Sequence, residues 1–241
     1  FQKLEPLNSL IHDHCQQYCL LSWNITMDKM MIRIGGQSHH TYRIPSKPII
    51  EGYKVFALCN VGYTYNWIFA SCSNSFIDLV PQPDFTPTGS AVFQLAAVLP
   101  YSPNLHFNIY MDNYFPSIAL LERLHNRGLV GGGIAGVNSK AFPPTIHDSG
   151  PNIPWNEISG SSGNATGMVL AAQWQDNSTV HFLSTIHNLI DRISHLTSSN
   201  GPMIRLAFGS PKRVRVPIPV ITNDHNQNKV GVDVADPYRT H

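Results

Sequence analysis

The chain has 241 residues, which is enough for one large domain or a domain with an insertion. Its formal net charge is +1, so bulk charge gives no support for a nucleic-acid partner, and only 13% of the residues are charged. The four cysteines form no Cys-X-X-Cys motif, which argues against a zinc finger. No apolar run is long enough to span a bilayer, so we expect no membrane partner.

The first half of the chain predicts a helix, three strands and a second helix. Residues 1–21 carry apolar side chains at roughly helical spacing, which is typical of an amphipathic helix. Residues 25–34 are rich in Met and Ile and predict a strand. Residues 53–59 form a continuous apolar run, typical of a strand buried on both faces, and 65–70 predict a further strand. A helix is predicted over 89–99.

The next elements are a strand, a helix and a strand. Residues 108–111 predict a strand that ends at Asp112. Ser117 is placed to cap the following helix, and Gly128 is placed to end it. Residues 129–134 predict another strand, although three consecutive glycines weaken it.

The last third of the chain is less regular. Residues 143–167 predict a long irregular excursion, because they are rich in Pro, Gly, Ser and Asn. Residues 168–174 and 180–185 predict a hairpin, because a polar turn joins two apolar runs. The polar residues 223–228 lead into a final helical segment that carries Asp233. This mixed order argues for an α/β layer fold.

Three aspartates from distant parts of the chain form a candidate metal site. Asp28 and Asp112 lie in apolar runs, and Asp233 lies just ahead of Asp236. An isolated buried carboxylate is very costly, so such acids are expected to be paired, hydrogen-bonded or metal-bound. Asp28 on one strand and Asp112 at the end of a later strand become neighbours if those strands are adjacent. We therefore predict a shared divalent-metal site.

Six segments of the chain occur in the order of the motifs of one known family. They are Ile-Thr-Met-Asp at 25–28, Pro-Ser-Lys-Pro at 45–48 with Gly-Tyr-Lys-Val at 52–55, Tyr-Met-Asp-Asn-Tyr-Phe-Pro-Ser at 110–117, Asn-Ser-Lys-Ala-Phe-Pro at 138–143, Trp-Gln-Asp at 174–176 with Leu-Ser-Thr at 183–185, and Val-Gly-Val-Asp at 230–233 followed by Asp236. Together they resemble the catalytic region of piggyBac-type transposases and of the domesticated proteins derived from them.

The resemblance implies an RNase H-like mixed sheet that is flanked by helices and interrupted by a β-containing insertion domain. The implied division is a helix leading in from a preceding segment (1–21), the first part of the catalytic domain (22–142), the insertion domain (143–200) and the end of the catalytic domain with the third acid (201–241). Because the chain starts at Phe1 and stops at His241 within a motif, we expect it to be part of a longer protein.

The resemblance also implies metal-dependent DNA strand cleavage and transfer in cut-and-paste transposition. Asp28, Asp112 and Asp233 are expected to be catalytic and to bind metal, with Asp236 as an accessory catalytic acid. Two Mg²⁺ ions are expected, with Mn²⁺ as a substitute, because a few carboxylates suffice for such ions. The expected partners are double-stranded DNA, as transposon ends and a TTAA-type target, and a second copy in a homodimer. The expected location is the nucleus.

Four basic residues are candidate DNA contacts: Lys47, Lys54, Lys140 and Arg213. Lys47 and Lys54 match family positions but are equally compatible with ordinary lysines at a strand edge. Arg213 belongs to a basic cluster around Pro211, which fits either a DNA-contacting patch or a solvated loop.

Several departures from the family motifs support an alternative. The usual Asp-Glu pair is Asp28-Lys29 here, and strand alternation is expected to point Lys29 away from the metal site. Basic positions are lost at 35–38 and at Ser139, which weakens phosphate contacts. The alternative is a domesticated or decayed transposase-derived protein that binds DNA or has a structural role without catalysis.

Overall fold

The structure is a computed structural model that describes residues 5–45, 47–72, 75–76, 78–100, 102, 105–136, 142–143, 146, 153–162, 166–187, 203–205, 213–215 and 218–239. Within these ranges the side chains of 75–76, 203–205, 213–215 and 236–239 are not described. In the part of the chain that is described, none of the helices combines the length and apolar character needed to cross a bilayer.

Helices and strands alternate along the described chain. The helices with described bounds are α1 (Glu5–Tyr18), α2 (Pro87–Ala96), α3 (Ile118–His125), α4 (Val220–Asn228) and α5 (Gly231–Arg239). The strands are β1 (Asn24–Arg33), β2 (Tyr42–Arg43), β3 (Glu51–Asn60), β4 (Tyr63–Ser71), β5 (Ser75–Phe76), β6 (Asn108–Met111), β7 (Val130–Ala135), β8 (Ile158–Ser162), β9 (Leu170–Gln175), β10 (Thr179–Ser184), β11 (Met203–Arg205) and β12 (Arg213–Arg215).

One large mixed sheet organises the protein. Its strand order is β5-β4-β3-β1-β6-β7-β10-β9-β8, with β2 beside β3, while β11 and β12 form a separate two-stranded sheet. The central pairs β1–β6 and β6–β7 are parallel. The pairs β1–β3, β3–β4, β7–β10, β10–β9 and β9–β8 are antiparallel. The predicted mixed α/β architecture is confirmed.

Period-two alternation divides the central strands between two hydrophobic clusters. Met27 on β1 and Phe56 on β3 belong to a large cluster that also includes Leu95 of α2 and Leu121 of α3. The opposite face of the same strands packs against Val232 in a smaller cluster with α5. Each fully buried large apolar side chain contributes about 1.5–3 kcal/mol, so these faces hold the helices on the sheet.

The predicted elements correspond closely to the observed ones. The amino-terminal helix, the strands over 25–34, 53–59, 65–70 and 108–111, and the hairpin are all present. Ser117 caps α3 by accepting a hydrogen bond from the Leu120 amide at 3.3 Å. Gly128 follows α3 with a φ of 79°, a conformation that favours glycine.

One prediction about the last third of the chain is wrong. The segment 143–167 is not irregular throughout, because it contains β8, whose backbone pairs with β9 between Ile158↔Trp174 and Ser162↔Leu170. There, tertiary contacts outweigh a weak local pattern. The polar residues 223–228, for which no element was predicted, belong to α4, whose buried side chains include Ile221 and His225.

The predicted insertion-domain hairpin is continuous with the main sheet. β10 pairs with β7 through His181↔Ala135 and Ser184↔Gly132, and β9 continues the sheet outward. The domain bounds 1–21, 22–142, 143–200 and 201–241 stay predictions.

The consecutive glycines of β7 are needed by the packing of the central sheet. A Cβ atom at Gly133 would overlap the Met111 carbonyl oxygen and would lie 2.8 Å from Pro116 Cγ. Gly133 is paired with Met111 in the parallel β6–β7 register. The close approach of these strands, rather than a turn, therefore explains a glycine in mid-strand.

We predict that Gly133→Ala lowers the free energy of unfolding by about 2 kcal/mol, because the added methyl group overpacks the contact between β6 and β7. Gly136→Ala is the matched control, since nothing lies within 4 Å of a Cβ atom there. Urea unfolding of both variants tests this. Equal stability of the two variants would contradict the packing argument.

Candidate functional site

The central parallel strands bring two of the predicted acids together. In the β1–β6 pair Met27 is opposite Met111, and the next residues along the two strands are Asp28 and Asp112. β6 ends at Met111, whereas β1 continues to Arg33. Asp112 therefore follows the carboxyl end of β6 beside the middle of β1, and the prediction that the two acids lie on adjacent strands is confirmed.

Asp28 is a buried carboxylate, 9% exposed. Its Oδ1 accepts a hydrogen bond from the Lys29 amide at 2.7 Å. The pKa of Asp28 is raised to about 6, chiefly by burial and also by the charge of Asp112, while the hydrogen bond from the Lys29 amide acts to lower it. The two carboxylates therefore repel each other at neutral pH.

Lys29 supplies a cation to this pair of acids. Alternation along β1 places Lys29 on the face opposite Asp28, yet its Nζ lies 3.5 Å from Asp112 Oδ2. The two side chains are 23% and 36% exposed, so the ion pair is open to solvent and easily displaced. The prediction that alternation points Lys29 away from the site is therefore wrong with respect to Asp112.

The third acid does not form a metal-binding group with the pair among the described side chains. Asp233 is an exposed residue in the first turn of α5, while Val232 and Ala235 of that helix pack onto the sheet. The described residues contain no group of three or more His, Cys, Asp or Glu side chains arranged to hold a metal ion. The side chain of Asp236 lies outside the described residues. The four-acid catalytic site and its metal ligands stay predictions.

Two of the predicted DNA contacts lie near the acids. Lys47 is partly buried, and its charge lowers the pKa of Asp28. Lys54 Nζ lies 4.9, 5.1 and 5.3 Å from the ring centroids of Phe56, Tyr114 and Tyr42. Burial lowers the pKa of Lys54, so it is a half-buried amine among aromatic rings rather than a free edge lysine.

The other two predicted DNA contacts are not described at the level of side chains. Lys140 lies outside the described residues. Arg213 begins β12, of which only the backbone is described.

A buried histidine close to the site was missed from the sequence. His225 on α4 is 3% exposed, and both of its ring nitrogens lack a hydrogen-bond partner. Burial lowers its pKa to about 4, with Lys229 acting in the same direction and the charge of Asp112 opposing. The sequence signal was the spacing of Ile221, Thr222 and His225, which places the three residues on one face of a helix. It lies within a mostly polar stretch.

The Asp28 and Asp112 carboxylates have the chemistry of divalent-cation ligands, but Lys29 is ion-paired with one of them. Asp28 and Asp112 offer the oxygen ligands that Mg²⁺ prefers, and a cation beside them would offset the charge of Asp112, which adds to burial in raising the pKa of Asp28. The Lys29 ammonium already lies beside Asp112. The donor chemistry of this pair suits a divalent cation, which would compete with Lys29 for Asp112.

Comparison with known proteins identifies the family. The model of the family described as Transposase IS4 matches residues 1–241. The chain belongs to the piggyBac-type Transposase IS4 family. The resemblance seen in the six motifs is thus confirmed, and DDE-type transposases generally use divalent metal ions.

Two human relatives of this piggyBac-type chain match it along nearly its whole length. The human "PiggyBac transposable element-derived protein 3" is 24% identical over 248 residues, covering 98% of this chain and 38% of that protein. The human "Chimeric ERCC6-PGBD3 protein" is also 24% identical over 248 residues, covering 98% of this chain and 21% of that protein. The chain thus spans less than half the length of either relative.

A solved structure has the same fold. The piggyBac transposase in a cryo-EM synaptic complex with hairpin DNA matches with a TM-score of 0.73 and 19% identity. The match covers 98% of this chain and 44% of that chain. The large mixed sheet of this piggyBac-type chain is therefore the fold of a piggyBac transposase.

We predict that Asp28→Asn stabilises the metal-free protein at pH 8 by about 1–3 kcal/mol. The folded-state pKa of Asp28 is raised from 3.8 to about 6, so the folded protein holds this proton more tightly than the unfolded chain. Stability from this group is therefore lost as pH rises from 3.8 through about 6. The neutral Asn avoids that loss, and its gain should be small at pH 4.

Urea unfolding in EDTA at pH 4 and pH 8 measures the difference between wild type and Asp28→Asn. The control is Asp176→Asn, in the turn after β9, which should change stability little at either pH. A gain for Asp28→Asn that is the same at both pH values would contradict the described environment.

Proposed function

We propose that this chain is the catalytic-domain portion of a piggyBac-type DNA transposase, which cleaves transposon ends and transfers DNA strands. The observation that carries the proposal is the meeting of Asp28 and Asp112 on adjacent parallel strands. Membership of the transposase family supports it, as does the fold shared with a transposase solved in a complex with hairpin DNA.

In this proposal Asp28 and Asp112 hold Mg²⁺, or Mn²⁺ as a substitute, with Asp233 as the third ligand and Asp236 as an accessory acid. When bound, two such ions activate an attacking hydroxyl group and stabilise the leaving 3′-oxygen. Asp28 must be ionised to bind a cation, which favours pH values above its pKa of about 6. The ion pair between the Lys29 ammonium and the Asp112 carboxylate must also break before a metal ion binds.

The substrate and the assembly belong to the same proposal. The family resemblance supports double-stranded transposon ends, a TTAA-type target, a homodimer and a nuclear location. It also supports an RNase H-like division with an insertion domain at 143–200. Lys47, whose charge lowers the pKa of Asp28, and Lys54, whose Nζ lies 5.1 Å from the ring of Tyr114, are the proposed contacts to a DNA phosphate.

A second candidate function is favoured by a different observation. Lys29 neutralises Asp112 at 3.5 Å, and Asp233 is an exposed residue outside any metal-binding group of the described side chains. Under this reading the chain is a transposase-derived protein that binds DNA without cleaving it. The two readings differ in one respect, which is strand cleavage in the presence of metal.

Nicking of supercoiled plasmid in Mn²⁺ tests the proposal. We predict that the wild-type chain nicks the plasmid and that Asp112→Asn abolishes nicking, because it removes a ligand charge. Lys29→Glu should nick faster than wild type, since a carboxylate replaces the competing ammonium. Asp176→Asn should behave as wild type.

The outcomes separate the two candidates. Retarded migration of DNA without nicking by either wild type or Lys29→Glu would select the non-catalytic reading. Nicking that persists in Asp112→Asn would show that the acid pair is not the active site.

A further inference from the structure

Tyr114 is an exposed aromatic ring beside the acid pair. It follows Asp112 by two residues and is 51% exposed. Its ring is nearly parallel to that of Phe56, with 6.3 Å between centroids and an interplanar angle of 12°. Phe115, which is buried, meets it edge-on at 5.7 Å. Packing therefore orients this ring although half of the side chain is open to solvent.

Two ammonium groups lie against the same ring. Lys29 Nζ and Lys54 Nζ are each 5.1 Å from the Tyr114 centroid. In the β1–β3 register Lys29 is opposite Phe56, and Lys54 is opposite Met31, so both lysines and Phe56 leave the sheet on one face. They therefore approach Tyr114 from the sheet, while about half of the Tyr114 residue stays open to solvent.

The two lysines are not equivalent. Lys54 is half-buried among the rings of Tyr42, Phe56 and Tyr114, and the charge of Lys29 adds to burial in lowering its pKa. Lys29 is partly exposed at the rim. Asp112 neutralises part of this positive charge through its ion pair with Lys29, and an anionic ligand with a planar group would be attracted to the remainder.

Packing alone does not explain why two lysines lie against the same exposed ring. Cation–π contacts at a surface contribute about 0.5–1 kcal/mol each, and one lysine would suffice to cover the ring. Sequence-independent binding of single-stranded DNA uses the pairing seen here, an aromatic face for a base and cations for the backbone.

We propose that Tyr114, Lys29 and Lys54 form a binding site for an unpaired nucleotide of a DNA strand. The base stacks on the outer face of Tyr114, Lys29 faces the adjoining phosphate, and Lys54 adds positive charge from beneath the ring. This site rests on the proposed action on DNA, and it places an unpaired nucleotide next to Asp112.

The test measures binding of two probes in EDTA by fluorescence anisotropy. One probe is a single-stranded oligonucleotide that contains 2-aminopurine, and the other is a duplex of the same length. We expect Tyr114→Leu to bind the single strand about tenfold more weakly than wild type and to lose the quenching of 2-aminopurine, with little change for the duplex. Tyr114→Phe, which keeps the ring, should behave as wild type.

Two further variants provide a control and an independent test. Trp23→Leu removes another exposed aromatic, 58% exposed, that precedes β1 at the other end of the strand, and it should bind both probes as wild type. Lys29→Gln removes one phosphate contact, so it should reduce the salt dependence of single-strand binding by about 0.7 in the log–log slope. This variant gives an answer even where Tyr114→Leu fails to fold.

The results distinguish the site from the proposed function. Unchanged affinity and quenching in Tyr114→Leu, or an unchanged salt slope in Lys29→Gln, would overturn the nucleotide site. If the wild type still bound DNA in that case, the proposed function would stand. A wild-type chain that bound neither probe would overturn both.

Discussion

The parallel pairing of β1, β6 and β7 is the constraint on which the site depends. Met27 is opposite Met111 and Met111 is opposite Gly133, so three strands run in the same direction through the centre of the sheet. Asp112, just after the end of β6, then lies beside Asp28 in the middle of β1. The antiparallel strands on either side extend the sheet, and its faces are covered by the helices.

The electrostatics of the acid pair follow from that placement. Two carboxylates lie on neighbouring strands, one of them buried, and the pKa of Asp28 is raised mainly by that burial and in part by the charge of Asp112. Lys29 provides positive charge beside Asp112 through an ion pair that is open to solvent. The same lysine contacts Tyr114, so one side chain links the acid pair to the proposed nucleotide site. Displacing it would therefore affect both.

Much of this arrangement could be predicted from local sequence. Apolar runs located β1, β3, β4 and β6, and the placement of Asp28 and Asp112 in or after such runs indicated that the two acids meet. Ser117 and Gly128 marked the ends of α3 because capping chemistry is local. The order of the motifs indicated the family.

The remainder depended on tertiary contacts. Period-two alternation gives the direction in which Lys29 leaves the backbone, but it does not show that a four-carbon side chain reaches Asp112 beyond the end of β6. The exposure of Asp233 follows from which face of α5 packs on the sheet, and that is set by Val232 and Ala235. His225 was missed because its helix consists largely of polar residues.

The proposed activity requires that Asp28 and Asp112 together form a divalent-cation site. Calorimetric titration of Mn²⁺ into the wild-type chain and into the folded Asp28→Asn/Asp112→Asn double mutant tests it most directly. We expect saturable binding to the wild type that is lost in the double mutant. Equal heats from both proteins would contradict it and would leave the fold as the feature shared with active transposases.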